Sequence, residues 1–362
     1  MKSTMDALVF MRPGDYSIEK VPIPIESPGG FLLKVYACAL CGSDLRTLRS
    51  GHRRITPPLV LGHEMAGIVE RLGPQYHGPL KVGDNVAVSP PVYCGECEYC
   101  QDGRFELCEN LVEMAQKWPG SFAEFVAIPE EAIPLSIRNL PQDMNLIHAA
   151  VSEPIAACVN AQEIGKINLG DTVAIIGAGP VGCIHSALAK LKGASKVIIA
   201  DISPERLEIS SGFFPDHMID VNEKNVIEEV RELTGGKGVE VVITANPVPQ
   251  TQIQAVEMCK KGGRILIFGG LPKNNNKPGI DMNIVHYNGL QIYGTTSFAP
   301  RHHELAIKLM YQYKIPVDRF VTIFKLSEFE NGSRLALDGK ITKAVFIPDE
   351  EFIERKSSLE KK

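Results

Sequence analysis

The sequence predicts an α/β fold in two parts, a mainly β N-terminal domain and a doubly wound parallel sheet, and three observations predict it. From about Glu153 onward, apolar runs of strand length alternate with segments of helical periodicity, a pattern that places parallel strands under helices on both faces. Before that point, prolines at 57, 58, 74, 79, 90 and 91 break up any long helix. A glycine turn, Gly177-Ala-Gly-Pro-Val-Gly182, stands between an apolar strand and a helix.

The elements follow in order. Phe31, Leu33, Val35 and Ala37 alternate with their neighbours as in a half-buried strand, and residues 81–88 (KVGDNVAV) form a turn feeding a strand. Strands are expected at 171–176, 196–200, 239–243 and 264–268, and helices at 181–191, 204–211 and 225–234. A helix at 302–313 and a strand at 342–347 follow. The expected division is 1–154, containing a cysteine loop at 94–108; 155–297 as the parallel-sheet domain; and 298–362 returning to the first domain. The charged terminus, 350–362, is expected to fray.

The chain has 362 residues, 44% of them apolar and 22% charged, with 38 Lys and Arg against 43 Asp and Glu, a formal charge of −5. That composition fits a folded globular protein, and the absence of a basic surplus argues against nucleic acid as a partner. The apolar stretch 7–11 is too short for a signal peptide or a membrane span, so a cytoplasmic protein without membrane contact is expected. In a reducing compartment nine cysteines point to metal or catalysis before disulfides. Cys38, Cys158, Cys183 and Cys259 are expected to be small buried apolar residues.

The glycine turn matches the G-x-G-x-x-G pattern of a dinucleotide site. Gly177 permits the tight turn, Gly179 lets the backbone approach a pyrophosphate, and Gly182 lets the helix pack on its strand, with Pro180 and Val181 opening that helix. The helix N-terminus offers its N–H groups to the phosphates. Asp201 ends the second strand, where a carboxylate can bind the adenosine ribose and repel a 2′-phosphate. NAD is therefore favoured over NADP, with Arg206 packing over the ribose although it could pair with a phosphate.

Cys94, Cys97, Cys100 and Cys108 are spaced C-x2-C-x2-C-x7-C, which suits a tetrahedral zinc. Four sulfur ligands leave no open position, so such a zinc pins the loop and does no chemistry; an iron–sulfur cluster or a redox dithiol are the alternatives.

Cys41-Gly-Ser-Asp44, Gly62-His-Glu-x-x-Gly67, the cysteine loop, Ser152-Glu-Pro154 and the glycine turn come in an order and spacing that resemble the zinc-dependent medium-chain dehydrogenases. They are most similar to the branch of sorbitol, threonine and galactitol-phosphate dehydrogenases. The resemblance covers residues 5–348 and implies a GroES-like catalytic domain joined to a Rossmann domain, two zinc ions per chain and a homodimer or homotetramer. By resemblance, Cys41, His63 and Glu64 ligate a catalytic zinc, Glu153 binds that metal or holds its water, Ser43 lies beside the substrate oxygen, and Asp44 supports the imidazole. Thr295 and Thr296 fall near the nicotinamide, and Trp118 lines the substrate cleft or simply packs.

The chain departs from this pattern at Arg46, which stands where sorbitol dehydrogenase has a histidine; arginine accepts no proton, so an imidazole relay there is excluded. It also runs one residue longer near Tyr76-His77. The expected activity is oxidation of a secondary hydroxyl of a polyol or sugar derivative to a ketone, with hydride transfer to NAD. Arg46, Arg49, Arg53 and Arg54, with His52, form either a solvated rim or a pocket for a sugar acid or polyol phosphate. A threonine-type amino-alcohol dehydrogenase and a non-catalytic, zinc-stabilised nucleotide-binding protein are the other readings.

Overall fold

A computed structural model describes residues 3–349 and Phe352, so the terminus expected to fray lies, but for that phenylalanine, outside the described residues. Among the described residues no helix is long and apolar enough to cross a membrane. The chain divides into two compact units, one of residues 1–154, 299–311 and 321–362, the other of 155–298 and 312–320. The segment 298–362 is thus interrupted: residues 312–320 join the second unit, where the Phe320 ring packs 5.4 Å from Phe213.

In the first unit, one sheet runs Ile137–Asn139, Asn85–Val88, Glu64–Leu72, Phe31–Ala39, Lys343–Ile347, Val321–Lys325, with Phe125–Ile128 also pairing to Phe31–Ala39. Its pairings are antiparallel except for Val321–Lys325 with Lys343–Ile347. Thr4–Arg12 forms a smaller sheet with Asp15–Pro22 and Leu59–Val60. The strand Phe31–Ala39 is buried along nearly its whole length, not on one face as its alternation suggests: Lys34 pairs with Asp349 at 2.8 Å, the Tyr36 ring lies 4.5 Å from that of Phe352, and the short helix Leu146–Ala149 packs against the strand. Phe122, Phe329 and Phe346 close that core, with ring centroids 4.9–5.7 Å apart. The register sets Ala39 opposite both Glu64 and Val345, so strands far apart in sequence end beside the segment leading into Cys41. A helix that the prolines obscured, Gly42–Ser50, follows at once; Cys41 is its N-cap and Gly51 its C-cap.

The second unit is a six-stranded parallel sheet ordered His217–Asp220, Lys196–Asp201, Thr172–Ile176, Val239–Thr244, Cys259–Ile267, Gln291–Gly294. In chain order this is 3-2-1-4-5-6, the Rossmann arrangement, whose direction of growth reverses beside the first strand. The continuous apolar runs have a direct cause. Val173 and Ile175 pack with Val197, Ile199, Val241 and Ile243 on one face, while Ala174 and Ile176 pack with Ile198, Ala200 and Val242 on the other. Both faces are dry, which is why the strand interiors read as continuous apolar runs, while the buried polar residues Asp201 and Thr244 stand at strand ends.

His185, on the helix Pro180–Leu191, is fully buried; its Nδ1 accepts from Gln162 Nε2 at 3.2 Å and its ring stands 4.9 Å from that of Phe268. Burial pushes its pKa down to about 3. A histidine neutral in the fold but free to protonate when unfolded costs stability as pH falls from about 6.5 toward 3, by about 1.4 kcal/mol per pH unit. Equilibrium denaturation between pH 7 and 4.5 should show His185→Leu losing stability with falling pH less steeply than the unsubstituted protein, by about this slope; identical slopes would contradict it.

Candidate functional site

The helix Gly42–Ser50 and the strand Glu64–Leu72 build the first cluster. Asp44, buried in the first turn of the helix, accepts the Cys41 N–H on Oδ2 at 3.0 Å and the His63 Nδ1–H on Oδ1 at 3.1 Å. One carboxylate therefore fixes both the loop at Cys41 and the imidazole tautomer, leaving Nε2 with a free lone pair. Burial pushes the His63 pKa down, but the charge and hydrogen bond of Asp44, together with Cys41, outweigh it and leave the pKa well above its ordinary value. The Ser43 hydroxyl lies 3.5 Å from Nε2.

Cys41, His63 and Glu64 each present one ligand atom, and these lie within 4.8 Å of one another. Glu64 has no exposed surface; its Oε1 accepts from Lys343 Nζ at 2.6 Å, and its Oε2 meets no hydrogen-bond partner. A buried carboxylate oxygen left bare is costly, and a cation between the sulfur, the imidazole and that oxygen would satisfy it. A thiolate, an imidazole and a carboxylate suit zinc and leave a fourth position open.

Lys343 is a residue that sequence reasoning missed. Burial works against its ammonium, yet Glu64 and Cys41 outweigh that and raise its pKa. Its one sequence signal is a lysine heading the otherwise apolar run 343–347.

Glu153, in the first turn of the helix Ser152–Ile164, is half-buried and is not among the three groups that converge within 4.8 Å. Its carboxyl feels them all the same. Burial and the charge of Glu64 raise its pKa to about 7, partly offset by His63 and Lys343.

Cys94, Cys97, Cys100 and Cys108 also bring their sulfurs within 4.8 Å of one another. Backbone N–H groups of Cys97 and Cys94 donate to the sulfurs of Cys94 and Cys108, each at 3.4 Å. Such bonds stabilise thiolate, and the N–H groups of Glu96 and Cys97 bring the Cys94 pKa down to about 6. Tyr93, Phe105, Leu111 and Leu135 pack with the cysteines in a small cluster of their own.

The basic cluster is exposed. Arg46, Arg49, His52, Arg53 and Arg54 all face solvent, and the four guanidiniums make no ion pair among the described residues. Trp118 is half-buried against the core of the first unit, with Lys117 Nζ 4.3 Å from its ring centroid.

In the second unit, Gly177 has φ +113°, and a Cβ on Gly182 would fall 1.8 Å from the Gly177 carbonyl. Gly177 thus needs its backbone freedom and Gly182 its missing side chain. Gly179 has open space where its Cβ would stand, room for a phosphate at the N-terminus of the helix Pro180–Leu191. Asp201 accepts Ala178 N–H on Oδ2 at 2.6 Å and Ser203 N–H on Oδ1 at 3.0 Å, so it braces the glycine turn. Arg206 is half-buried on the helix Pro204–Ser210, which Ser203 caps. Thr295 donates its N–H and hydroxyl to Ile267 O at 3.3 and 3.1 Å, and the Thr296 carbonyl accepts from Asn160.

Residues 27–137 match the alcohol dehydrogenase GroES-like domain family and residues 180–312 the zinc-binding dehydrogenase family. An L-threonine 3-dehydrogenase of Pyrococcus horikoshii is 32% identical over 359 residues, which cover 96% of this chain and 99% of that protein. A sorbitol dehydrogenase of Bacillus subtilis is 33% identical over 299 residues, 82% of this chain and 83% of the relative. A Sinorhizobium meliloti 1021 protein whose structure was solved with NADP superposes with a TM-score of 0.89 at 30% identity, over 96% of this chain and all of that one. With both domains matched and the likeness running the length of the chain, the protein belongs to the zinc-binding medium-chain dehydrogenases, in the branch of the threonine and sorbitol dehydrogenases, and is an enzyme acting on alcohols.

Proposed function

We propose that the protein oxidises a secondary hydroxyl of a polyol or sugar derivative to the ketone, with hydride transfer to NAD, at a zinc held by Cys41, His63 and Glu64. The observation that carries this is the buried Glu64 carboxylate, which has one oxygen, Oε2, without a hydrogen-bond partner and brings a carboxylate oxygen within 4.8 Å of a thiol and an imidazole. Zinc bound there supplies a Lewis acid; zinc lowers the pKa of bound water from about 15.7 to about 7, and it acidifies an alcohol in the same sense. Asp44 keeps His63 in the tautomer that offers Nε2. Ser43 Oγ, beside Nε2, stands where it can take the hydroxyl proton. Glu153, with a pKa near 7, is poised to hold a water and accept that proton in turn. Arg46 cannot, since a guanidinium keeps its protons. The four cysteines of the 94–108 loop hold a second, structural zinc.

Asp201 supports NAD over NADP, because a 2′-phosphate would meet its carboxylate; Arg206 lies five residues on and packs over the ribose. The last strand, Gln291–Gly294, is an unpaired sheet edge, and Met282, Tyr287 and Ile292 near it are exposed. Two copies joined along that edge would cover both.

A second reading has a specific observation behind it. Arg46 follows Ser43 by three residues on one helix, so the two share a face, and the Arg46 guanidinium makes no ion pair among the described residues. That favours a substrate carrying a carboxylate or phosphate near its reacting carbon. A panel of polyols, sugar acids, polyol phosphates and amino alcohols, followed by coenzyme reduction with NAD and NADP, tests both readings. Turnover is expected with NAD and secondary hydroxyls, and preference for the anionic members would select the second reading. Absence of turnover with every member of the panel would contradict both.

A further inference from the structure

Asn160 lies on the helix Ser152–Ile164 and is 2% exposed. Its Nδ2 donates to two consecutive carbonyls, Thr296 at 3.2 Å and Ser297 at 2.9 Å. Ser297 has φ +47°, in the left-handed region that a serine rarely adopts unless its surroundings impose it. Just before it Thr295 is tied twice to the Ile267 carbonyl, and just after it Phe298 is fully buried. Three residues are thus pinned from both ends and from the middle.

Their place gives the pinning a purpose. Thr295, Thr296 and Ser297 leave the C-terminal end of the sixth parallel strand, in the half of the sheet made of the fourth to sixth strands. Asp201 and the glycine turn occupy the other half and claim the adenosine end of a dinucleotide, so the nicotinamide end falls to this one. A trans peptide holds its C=O and N–H antiparallel. With the Thr296 carbonyl drawn onto Asn160, the Ser297 N–H points the opposite way, and it donates to no acceptor among the described residues. A nicotinamide carboxamide carries the acceptor that such a donor lacks.

We propose that Asn160 is a positioning residue for the coenzyme: by holding the carbonyls of Thr296 and Ser297 it sets the backbone that receives the nicotinamide carboxamide. This rests on the dinucleotide reading given above. Asn160 itself need not touch the coenzyme.

The test compares two ligands on the zinc-loaded protein by calorimetry: NADH, and ADP-ribose, which lacks the nicotinamide. Asn160→Asp keeps the shape and removes the donor, and Asn160→Ser gives a smaller side chain with a shorter donor. In both variants NADH is expected to bind about tenfold more weakly, the scale of two neutral hydrogen bonds lost, while ADP-ribose binding changes less than about twofold. Equal weakening of both ligands would show that Asn160 merely supports the fold, and unchanged NADH affinity would show that it positions nothing; either overturns the proposal. Wild-type protein binding neither ligand would overturn the dinucleotide reading, and the proposal with it.

Discussion

His63→Ala is expected to lower kcat/KM by about 10³- to 10⁴-fold, because Lewis-acid activation supplies several kcal/mol to the reacting oxygen and each 1.36 kcal/mol is a factor of ten in rate. Of two zinc-binding groups the substitution disturbs one, so zinc should fall from two ions per chain to one by elemental analysis. The loop at 94–108 should keep its metal, and the fold its thermal transition. A variant that retained both zinc ions and lost only rate would instead assign His63 a role away from the metal.

Lys343→Met is the second large effect. In zinc-free protein the substitution strands a fully buried carboxylate, and removing one partner of a buried ion pair costs about 3–5 kcal/mol. With zinc bound, the metal's charge faces the same carboxylate, so the loss should shrink. Denaturant titrations of wild type and variant, each with and without zinc, give the four values needed. A cost that is the same in both states would mean that Glu64 does not meet the metal. Glu64→Gln in the same background should recover most of the zinc-free loss, since the stranded charge is then gone.

Much of this was legible in the sequence because its signals are local. The strand, glycine turn, helix and Asp201 lie within about thirty residues, and each position answers to a steric or electrostatic need that shows in the residue type alone. The cysteine loop is equally local. The cluster of Cys41, His63 and Glu64 is not: Cys41 and His63 are unremarkable singly and became interpretable only through resemblance, since the contact between them is made by a helix start and a strand start. Lys343 was out of reach for a stronger reason. It is 279 residues from Glu64 in the chain, and only the register of Lys343–Ile347 against Phe31–Ala39 brings it there. Asn160 was missed because a polar residue on a helix reads as solvent-facing, whereas both carbonyls it serves belong to a segment more than 130 residues later. The helix Gly42–Ser50 did carry signals, an Asp in its first turn and glycine as its C-cap, but the prolines that follow it dominated the pattern.

Zinc-edge anomalous diffraction from crystals of the purified chain measures the central arrangement directly. Two peaks per chain are expected, one inside the tetrahedron of Cys94, Cys97, Cys100 and Cys108 and one bounded by Cys41 Sγ, His63 Nε2 and Glu64 Oε2. A single peak, confined to the cysteine loop in fully zinc-loaded protein, would contradict the account.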